Sequence, residues 1–208
     1  MIQVHHLNNS RSQRILWLLE ELGLDYEVVR YQRDPVTNLA PASLKAIHPL
    51  GKSPVIVDGA LTIAESGAAV EYLVDRYGYG RLAPPKDSAD HVRYLEWLHY
   101  AEGSAMLPLL LKLYVGRLGE AGAPLGDRIN SEIDNHLGYI AGALADRPYL
   151  MGEALTAADI QISFVVELAK TYGLLAERPV LAAYVERLHA HSAYARAIET
   201  GGPYGIGQ

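Results

Sequence analysis

Cysteine is missing from all 208 residues. Its absence excludes a disulfide framework, a thiolate metal site and a protein thiol nucleophile, so any sulfur chemistry has to arrive on a bound ligand. Nor does any stretch reach the roughly 18 consecutive apolar residues of a membrane-spanning helix. The opening Met1-Ile2-Gln3-Val4-His5-His6 lacks the basic region followed by an apolar segment that marks a secretory leader. A soluble, cytoplasmic protein with no membrane partner is expected. Lys and Arg form no run and the net charge of −6 is spread along the chain, so no nucleic-acid partner is expected either. There is no G-x-S-x-G, P-loop or dinucleotide fingerprint. Eight histidines include the pair His5-His6, but no H-x-x-x-H spacing frames them and no metal site is predicted.

What is present is the composition of an ordinary globular protein, 50% hydrophobic and 20% charged, long enough to bury a core without staples. Ile2 to Leu7 reads as a strand that breaks at Asn8-Asn9-Ser10. Ile15, Leu16, Leu18, Leu19 and Leu22 give the next segment the apolar face of a helix, closed by Gly23. Tyr26 to Tyr31 is a second strand, parallel to the first by the right-handed crossover rule. A short helical stretch over Ala42 to Ile47, a hairpin turning at Asp58-Gly59 and a helix from Ser66 to about Tyr77 complete a β-α-β-α-β-β-α order with a four-stranded sheet. Glycines and prolines cluster between Tyr77 and Pro85, and no strand signal follows. The expected division is a first domain over 1–78, a linker over 79–88 and an all-helical domain over 89–208.

In the second half, Val92, Leu95, Leu98, Ala101 and Ala105 keep helical spacing until Pro108, where a kink or break is predicted. Gly116 to Gly126 reads as a loop, and Ile129 to Leu144 as an amphipathic helix. Thr156 to Asp159 has the form of a capping box ahead of a helix apolar nearly all round, which predicts burial. Pro179 opens a further helix, and Glu199 to Gln208 reads as a glycine-rich tail.

Candidate chemistry gathers in two places. The first lies between His48 and Ser66. Ser53-Pro54, a candidate for the cis form, precedes the strand Val55-Ile56-Val57, and Ser66 is expected to cap the helix that follows. The free N–H groups of that helix would seat a carboxylate, and Glu65 would take an ammonium. The layout suits a ligand carrying α-amino and α-carboxylate groups and a peptide-like portion that reaches Ser53. The second place is the loop Asn8 to Ser12 at the start of the first helix. A thiolate there would receive hydroxyl and backbone bonds and the helix dipole. Lowering a thiol from about 8.5 by ~2 units needs ~2.7 kcal/mol, within reach of one charge-assisted bond and a dipole. Ser10 is the leading residue, with Asn9, Arg11 and Ser12 as alternatives; the competing reading is that Ser10 only caps the helix.

The P-L-G-K-S-P turn from Pro49 to Pro54, the Glu65-Ser66 pair eleven and twelve residues after Pro54, and the S-R-S-Q-R segment from Ser10 to Arg14 resemble the glutathione transferase superfamily, across essentially the whole chain. The resemblance implies an α/β thioredoxin-like domain with a four-stranded mixed sheet, followed by an all-α helical-bundle domain. Ser10 four residues before Arg14 matches the serine-type, bacterial cytosolic pattern. Tyrosine-type members would need a tyrosine in Val4 to Leu7, which has none, and cysteine-type members are excluded by composition. By the same resemblance Lys52 meets the glycine carboxylate of glutathione, Ser53 beside Pro54 pairs through its main chain with the cysteinyl part, and Glu65 and Ser66 hold the γ-glutamyl end. An electrophile pocket between the domains is implied, with His99, Tyr100, Met106, Leu110 and Tyr114 as candidates, and Glu102 is placed toward a partner subunit. The implied activity is conjugation of glutathione, the co-substrate, to a small electrophile by a homodimer without metal. Glutathione-dependent reduction of peroxides or disulfides, or a non-catalytic ligand-binding role, stands as the alternative.

Overall fold

The computed structural model describes residues 1–202, which fall into two compact units. The first opens with β1 (Ile2–Leu7), α1 (Ser12–Leu22) and β2 (Tyr26–Tyr31), then a 3-10 turn at Ala42–Ala46, β3 (Val55–Asp58), β4 (Leu61–Ala64) and α2 (Ser66–Tyr77). Its sheet runs β2-β1-β3-β4. β1 and β2 are parallel with His6 opposite Arg30, whereas β3 is antiparallel to both β1 and β4. The mixed, four-stranded sheet is as expected. Val4, Ile15, Leu16, Leu18, Val55, Ile56, Val70 and Leu73 form its core, so the apolar stripes of α1 and α2 are buried as their spacing requires. Gly23 ends α1 at φ 67, the left-handed conformation that glycine adopts without a Cβ penalty.

The second unit spans Ala83–Leu188. It holds α3 (Ala89–Tyr100), a π turn (Ala101–Ala105), α4 (Met106–Gly116), a 3-10 turn (Gly119–Leu125), α5 (Gly126–Ala143), α6 (Ala157–Thr171) and α7 (Pro179–His189), whose last residue lies at the boundary. Pro108 does not break the helical path. The π turn stands directly before the proline's turn, and wide turns of this kind are where helices absorb such an interruption. The stretch read as a loop from Gly116 to Gly126 is largely a 3-10 turn instead. α6 is buried from Ala157 to Ala169, as its composition predicts.

α8 (Ser192–Gly201) follows, and the described residues from His189 to Gly202 belong with the first unit. The sequence division had placed them in the helical domain and had read Glu199 onward as tail. Glu199 to Gly201 are instead the last turn of α8; the rest of that expected tail, beyond residue 202, lies outside the described residues. The cause is burial. Tyr194 meets Trp17 of α1 edge-on with ring centroids 5.2 Å apart, and Ala193 and Ala197 are covered. Around this contact Arg196 Nε donates to Glu20 Oε2 at 2.6 Å, and His191 lies 3.2 Å from Glu21 Oε1.

The capping box at Thr156 is the polar centre of the second unit. Asp159, with no exposed surface, accepts at Oδ1 from Leu150 N–H and Tyr184 O–H, both at 2.8 Å. Its Oδ2 accepts from Thr156 N–H and Thr156 O–H, both at 2.9 Å. One carboxylate therefore ties the loop before α6, the start of α6 and α7 together. Asp159→Ala strands four buried donors, and each unmet buried donor costs roughly 1–3 kcal/mol before relaxation. The expected loss is about 3 kcal/mol or more in urea unfolding; a loss near zero would mean that water or a rearranged loop satisfies the donors.

Candidate active site

β1 delivers the chain to a turn, Asn8 to Arg11, whose shape is fixed by Arg33 in the segment after β2. The Arg33 N–H donates to Asn8 Oδ1 at 2.9 Å. Its guanidinium reaches the carbonyls of Asn8 and Asn9, each at 3.2 Å, and of Asn38 at 3.1 Å. Asn9 sits at φ 51, a conformation that asparagine tolerates better than most residues. This clamp presents Ser10 to the start of α1. Arg33 was not singled out in the sequence, since nothing local distinguishes it from a surface arginine.

Ser10 is buried at 6% exposure and heads a run of hydroxyl contacts. Its Oγ is 2.8 Å from Ser12 Oγ and 3.3 Å from Ser53 Oγ, so three of the predicted serines converge. The Ser53 hydroxyl donates to the His5 carbonyl at 2.8 Å and accepts from Leu7 N–H at 3.2 Å, which stitches the Pro54 turn to β1. Ser53-Pro54 is cis. Ser12 Oγ is 2.8 Å from His6 Nδ1, and His6 Nε2 is 2.9 Å from the Gly201 carbonyl of α8. In the sequence His6 suggests at most a metal ligand; among the described residues no group of His, Cys, Asp or Glu is arranged to hold a metal ion.

The first-turn N–H groups of α1 are largely spent within the loop. Ser12 N–H reaches Ser10 Oγ at 3.3 Å, Gln13 N–H the Ser10 carbonyl and Arg14 N–H the Arg11 carbonyl, both at 3.3 Å. Arg11 occupies the capping position and makes no side-chain capping bond to the helix. Ser10 lies one residue further out. A ligand at this corner thus meets the Ser10 hydroxyl rather than an open row of amides.

Arg14, 1% exposed, crosses to α2 and donates from Nη1 to Ser66 Oγ at 3.2 Å. Ser66 is not the cap that its sequence context suggested. It is the first helical residue, and Glu65 takes the cap position at φ 70 and ψ 122 with its side chain exposed. Positive φ at a non-glycine residue is strained and clusters at functional sites. It turns the Glu65 carboxylate outward beside the start of α2, while the buried Arg14 holds Ser66 from behind. Lys52 is exposed on the Gly51-Lys52-Ser53 turn.

The five residues expected around an electrophile are all in the second unit and do not converge. Met106 is buried at 1%; Tyr100 sends its hydroxyl to His136 Nδ1 on α5 at 2.7 Å. Burial pushes the Tyr100 phenol above the range where it could serve as an acid near neutrality. His99 and Tyr114 are exposed, with the Arg117 guanidinium 5.7 Å from the Tyr114 ring centre, and Leu110 is half-buried. Glu102 is half-buried in the π turn.

Comparison with known proteins points one way. Residues 1–75 match the family model described as glutathione S-transferase, N-terminal domain, and residues 123–187 that of the C-terminal domain. Glutathione S-transferase 3 of Schizosaccharomyces pombe is 38% identical over 180 residues, which cover 80% of this chain and 73% of that one. Glutathione S-transferase 1 of Saccharomyces cerevisiae is 30% identical, covering 96% and 94%. The crystal structure of a glutathione S-transferase from Actinobacillus pleuropneumoniae superposes with a TM-score of 0.89 at 36% identity, covering 97% and 93%. A glutathione transferase family member from Pseudomonas fluorescens, solved with two glutathione bound, gives 0.82 at 26% identity, covering 95% and 92%.

Burial lowers the pKa of both His5 and His6 below the ordinary 6.5; Arg30, opposite His6 on β2, lowers His6 further, against the Gly201 carbonyl, which raises it. In the unfolded chain both histidines titrate near 6.5. Between their folded values and 6.5 the unfolded state therefore binds more protons, and stability rises with pH. Unfolding free energy is expected to fall as pH drops below 6.5, and His6→Gln should remove part of that slope. Urea denaturation across this range measures it; equal slopes for the two proteins would show that His6 titrates alike folded and unfolded.

Proposed function

The chain belongs to the glutathione S-transferase family, and from that premise we propose that it joins the glutathione sulfur to small electrophiles, with the Ser10 hydroxyl meeting the sulfur. The observation that carries this reading is the convergence of Ser10, Ser12 and Ser53 where β1 passes into α1, in a chain without a thiol of its own. Asn9 and Arg11 shape the turn rather than meet the sulfur: the Asn9 carbonyl is taken by Arg33 and Arg11 holds the cap position of α1. Ser53 offers its backbone beside the cis Pro54 to the cysteinyl portion. Ser66, held by Arg14, and Glu65, turned outward at the start of α2, receive the carboxylate and ammonium of the γ-glutamyl end. Lys52 supplies a mobile point charge for the glycine carboxylate. The working form is a homodimer. Holding thiolate and electrophile together supplies the rate, since the nucleophile belongs to the co-substrate.

A second reading is favoured by one observation, the two glutathione molecules bound by the Pseudomonas fluorescens relative. Two glutathione thiols would supply the reducing equivalents for a disulfide or peroxide without a protein cysteine. NADPH consumption coupled through glutathione reductase distinguishes the two; a rate above that of conjugation to a chloronitrobenzene would make reduction the main activity.

Ser10→Ala tests the assignment. Loss of one charge-assisted bond of about 1.5–3 kcal/mol raises the pKa of the bound thiol by ~1–2 units, because the lost donor favours only the charged form. Ultraviolet titration of the bound thiolate should show that rise and turnover should drop, while affinity for S-methylglutathione, which has no thiol proton, changes little. An unchanged thiol pKa with full activity would remove Ser10 from the role.

A further inference from the structure

The run of hydroxyls that begins at Ser10 ends at a group able to keep a proton. The Gly201 carbonyl can only accept, so His6 Nε2, 2.9 Å away, carries a hydrogen. In the neutral ring this leaves Nδ1 as a lone pair. Ser12 O–H therefore donates to Nδ1 at 2.8 Å, and Ser12 Oγ accepts from Ser10 O–H at 2.8 Å. The Leu7 carbonyl at 3.4 Å and Ser53 Oγ at 3.3 Å are weaker acceptors for the same two hydrogens, and the Ser53 hydrogen already goes to the His5 carbonyl at 2.8 Å. In this resting order the Ser10 hydrogen points inward. What Ser10 offers a ligand is a lone pair, which accepts from a thiol and cannot donate to a thiolate.

The order reverses when the thiol loses its proton along the same path. We propose that His6 is the proton acceptor for the thiol seated at Ser10, reached through the hydroxyls of Ser10 and Ser12. The S–H bond breaks and its proton joins Ser10 Oγ. The original Ser10 hydrogen passes to Ser12 Oγ, and the Ser12 hydrogen to His6 Nδ1. The electron pair of the broken bond stays on sulfur. The products are a thiolate and an imidazolium, with every hydroxyl turned outward: His6 Nδ1–H donates to Ser12, Ser12 to Ser10, and Ser10 to the sulfur. The same serine then stabilises the charge that its relay created. This step rests on the reading that Ser10 meets the sulfur.

The surroundings of His6 suit the role. Arg30 on β2 is the charged group set against it, and with burial it keeps the ring neutral and ready to accept. Ser12 and Gln13 from α1 are uncharged, and α8 contributes the carbonyl of Gly201. Arg30 is itself tied to α8 by a bond from its guanidinium to the Thr200 carbonyl. Gly201 admits no side chain. A Cβ there would lie 2.3 Å from Gln13 Oε1, 2.7 Å from Leu16 Cδ1 and 3.1 Å from His6 Cε1. The carbonyl reaches the ring because the residue that bears it is glycine. His6 is thus a positioning and proton-holding residue that acts through Ser12 and Ser10 rather than by contact with the ligand.

The test uses the intact wild-type protein with nitrogen-15-labelled histidine, near neutral pH. Glutathione should convert His6 Nδ1 from the lone-pair to the protonated signature, whereas S-methylglutathione should not. Calorimetry in buffers of different ionisation enthalpy should show far less than one proton released per glutathione thiolate formed. Ser12→Ala, which cuts the path, should raise the pH at which thiolate appears and restore release of about one proton. If thiolate absorbance appears with His6 Nδ1 unprotonated and one proton in the buffer, the relay is overturned, while a thiol pKa raised in Ser10→Ala would still uphold Ser10. If Ser10→Ala leaves that pKa unchanged, the placement of the sulfur fails, and the relay with it.

Discussion

Three consecutive polar residues at the start of α1, Ser12, Gln13 and Arg14, are no more than 2% exposed, as deeply buried as the leucines that follow them. Burying polar groups costs several kcal/mol unless each finds a partner, and this helix has nowhere to turn them toward water. Ser12 is met by His6 on β1 and Arg14 by Ser66 on α2, while the buried Gln13 Nε2 has no hydrogen-bond partner among the described residues; the neighbouring Ser10 reaches Ser53 before β3, and His6 in turn reaches Gly201 on α8. The need to satisfy one buried helix start thereby fixes the relative placement of the loops that make the site.

The local parts of the fold were legible because each rests on contacts between near neighbours in sequence. The strand runs of β1 and β2, the Asp58-Gly59 hairpin, Gly23 after α1 and the Thr156 to Asp159 box each show within a few residues. The errors fall where a distant partner decides. Ser66 has the residue type of a cap, but Arg14, 52 positions earlier, engages its side chain and Glu65 takes the cap instead. Gly201 and Gly202 looked like part of a tail because composition says nothing of Trp17, against which Tyr194 lays α8. Pro108 was expected to kink or break a helix, and the interruption falls just ahead of it, as a π turn over Ala101–Ala105.

The candidate site divides in the same way. Ser10, Ser53, Glu65 and Ser66 stood out through short motifs, whereas His6 did not, because its role depends on a carbonyl 195 positions away. Arg33 was silent for the same reason: it meets Asn8 and Asn9 only after the chain has crossed through α1. Paired histidines in a sequence suggest metal because metal needs several ligands together. These two alternate across the sheet, His5 toward Tyr31 and His6 toward α1, so they never share a ligand.

A chain without cysteine that handles a thiol has to decide where the sulfur's proton goes. A serine hydroxyl lends or accepts a hydrogen bond, but its own ionisation lies far from neutral pH, so a site made only of serines stabilises a thiolate by donation and leaves the proton to bulk water. Donation alone also demands that the hydroxyl hydrogen face the ligand before the charge exists. Here the shortest contacts run the other way, from Ser10 to Ser12 to His6, with Nε2 committed to Gly201. Imidazole is the only group along that run which titrates near neutrality. Burial and Arg30 make its resting form neutral, and an imidazolium formed together with a nearby thiolate is offset by that charge in a medium of low dielectric. The direction of the hydroxyls and the protonation of His6 are thus two descriptions of one state, and the helix that closes the first unit sets it through a backbone carbonyl.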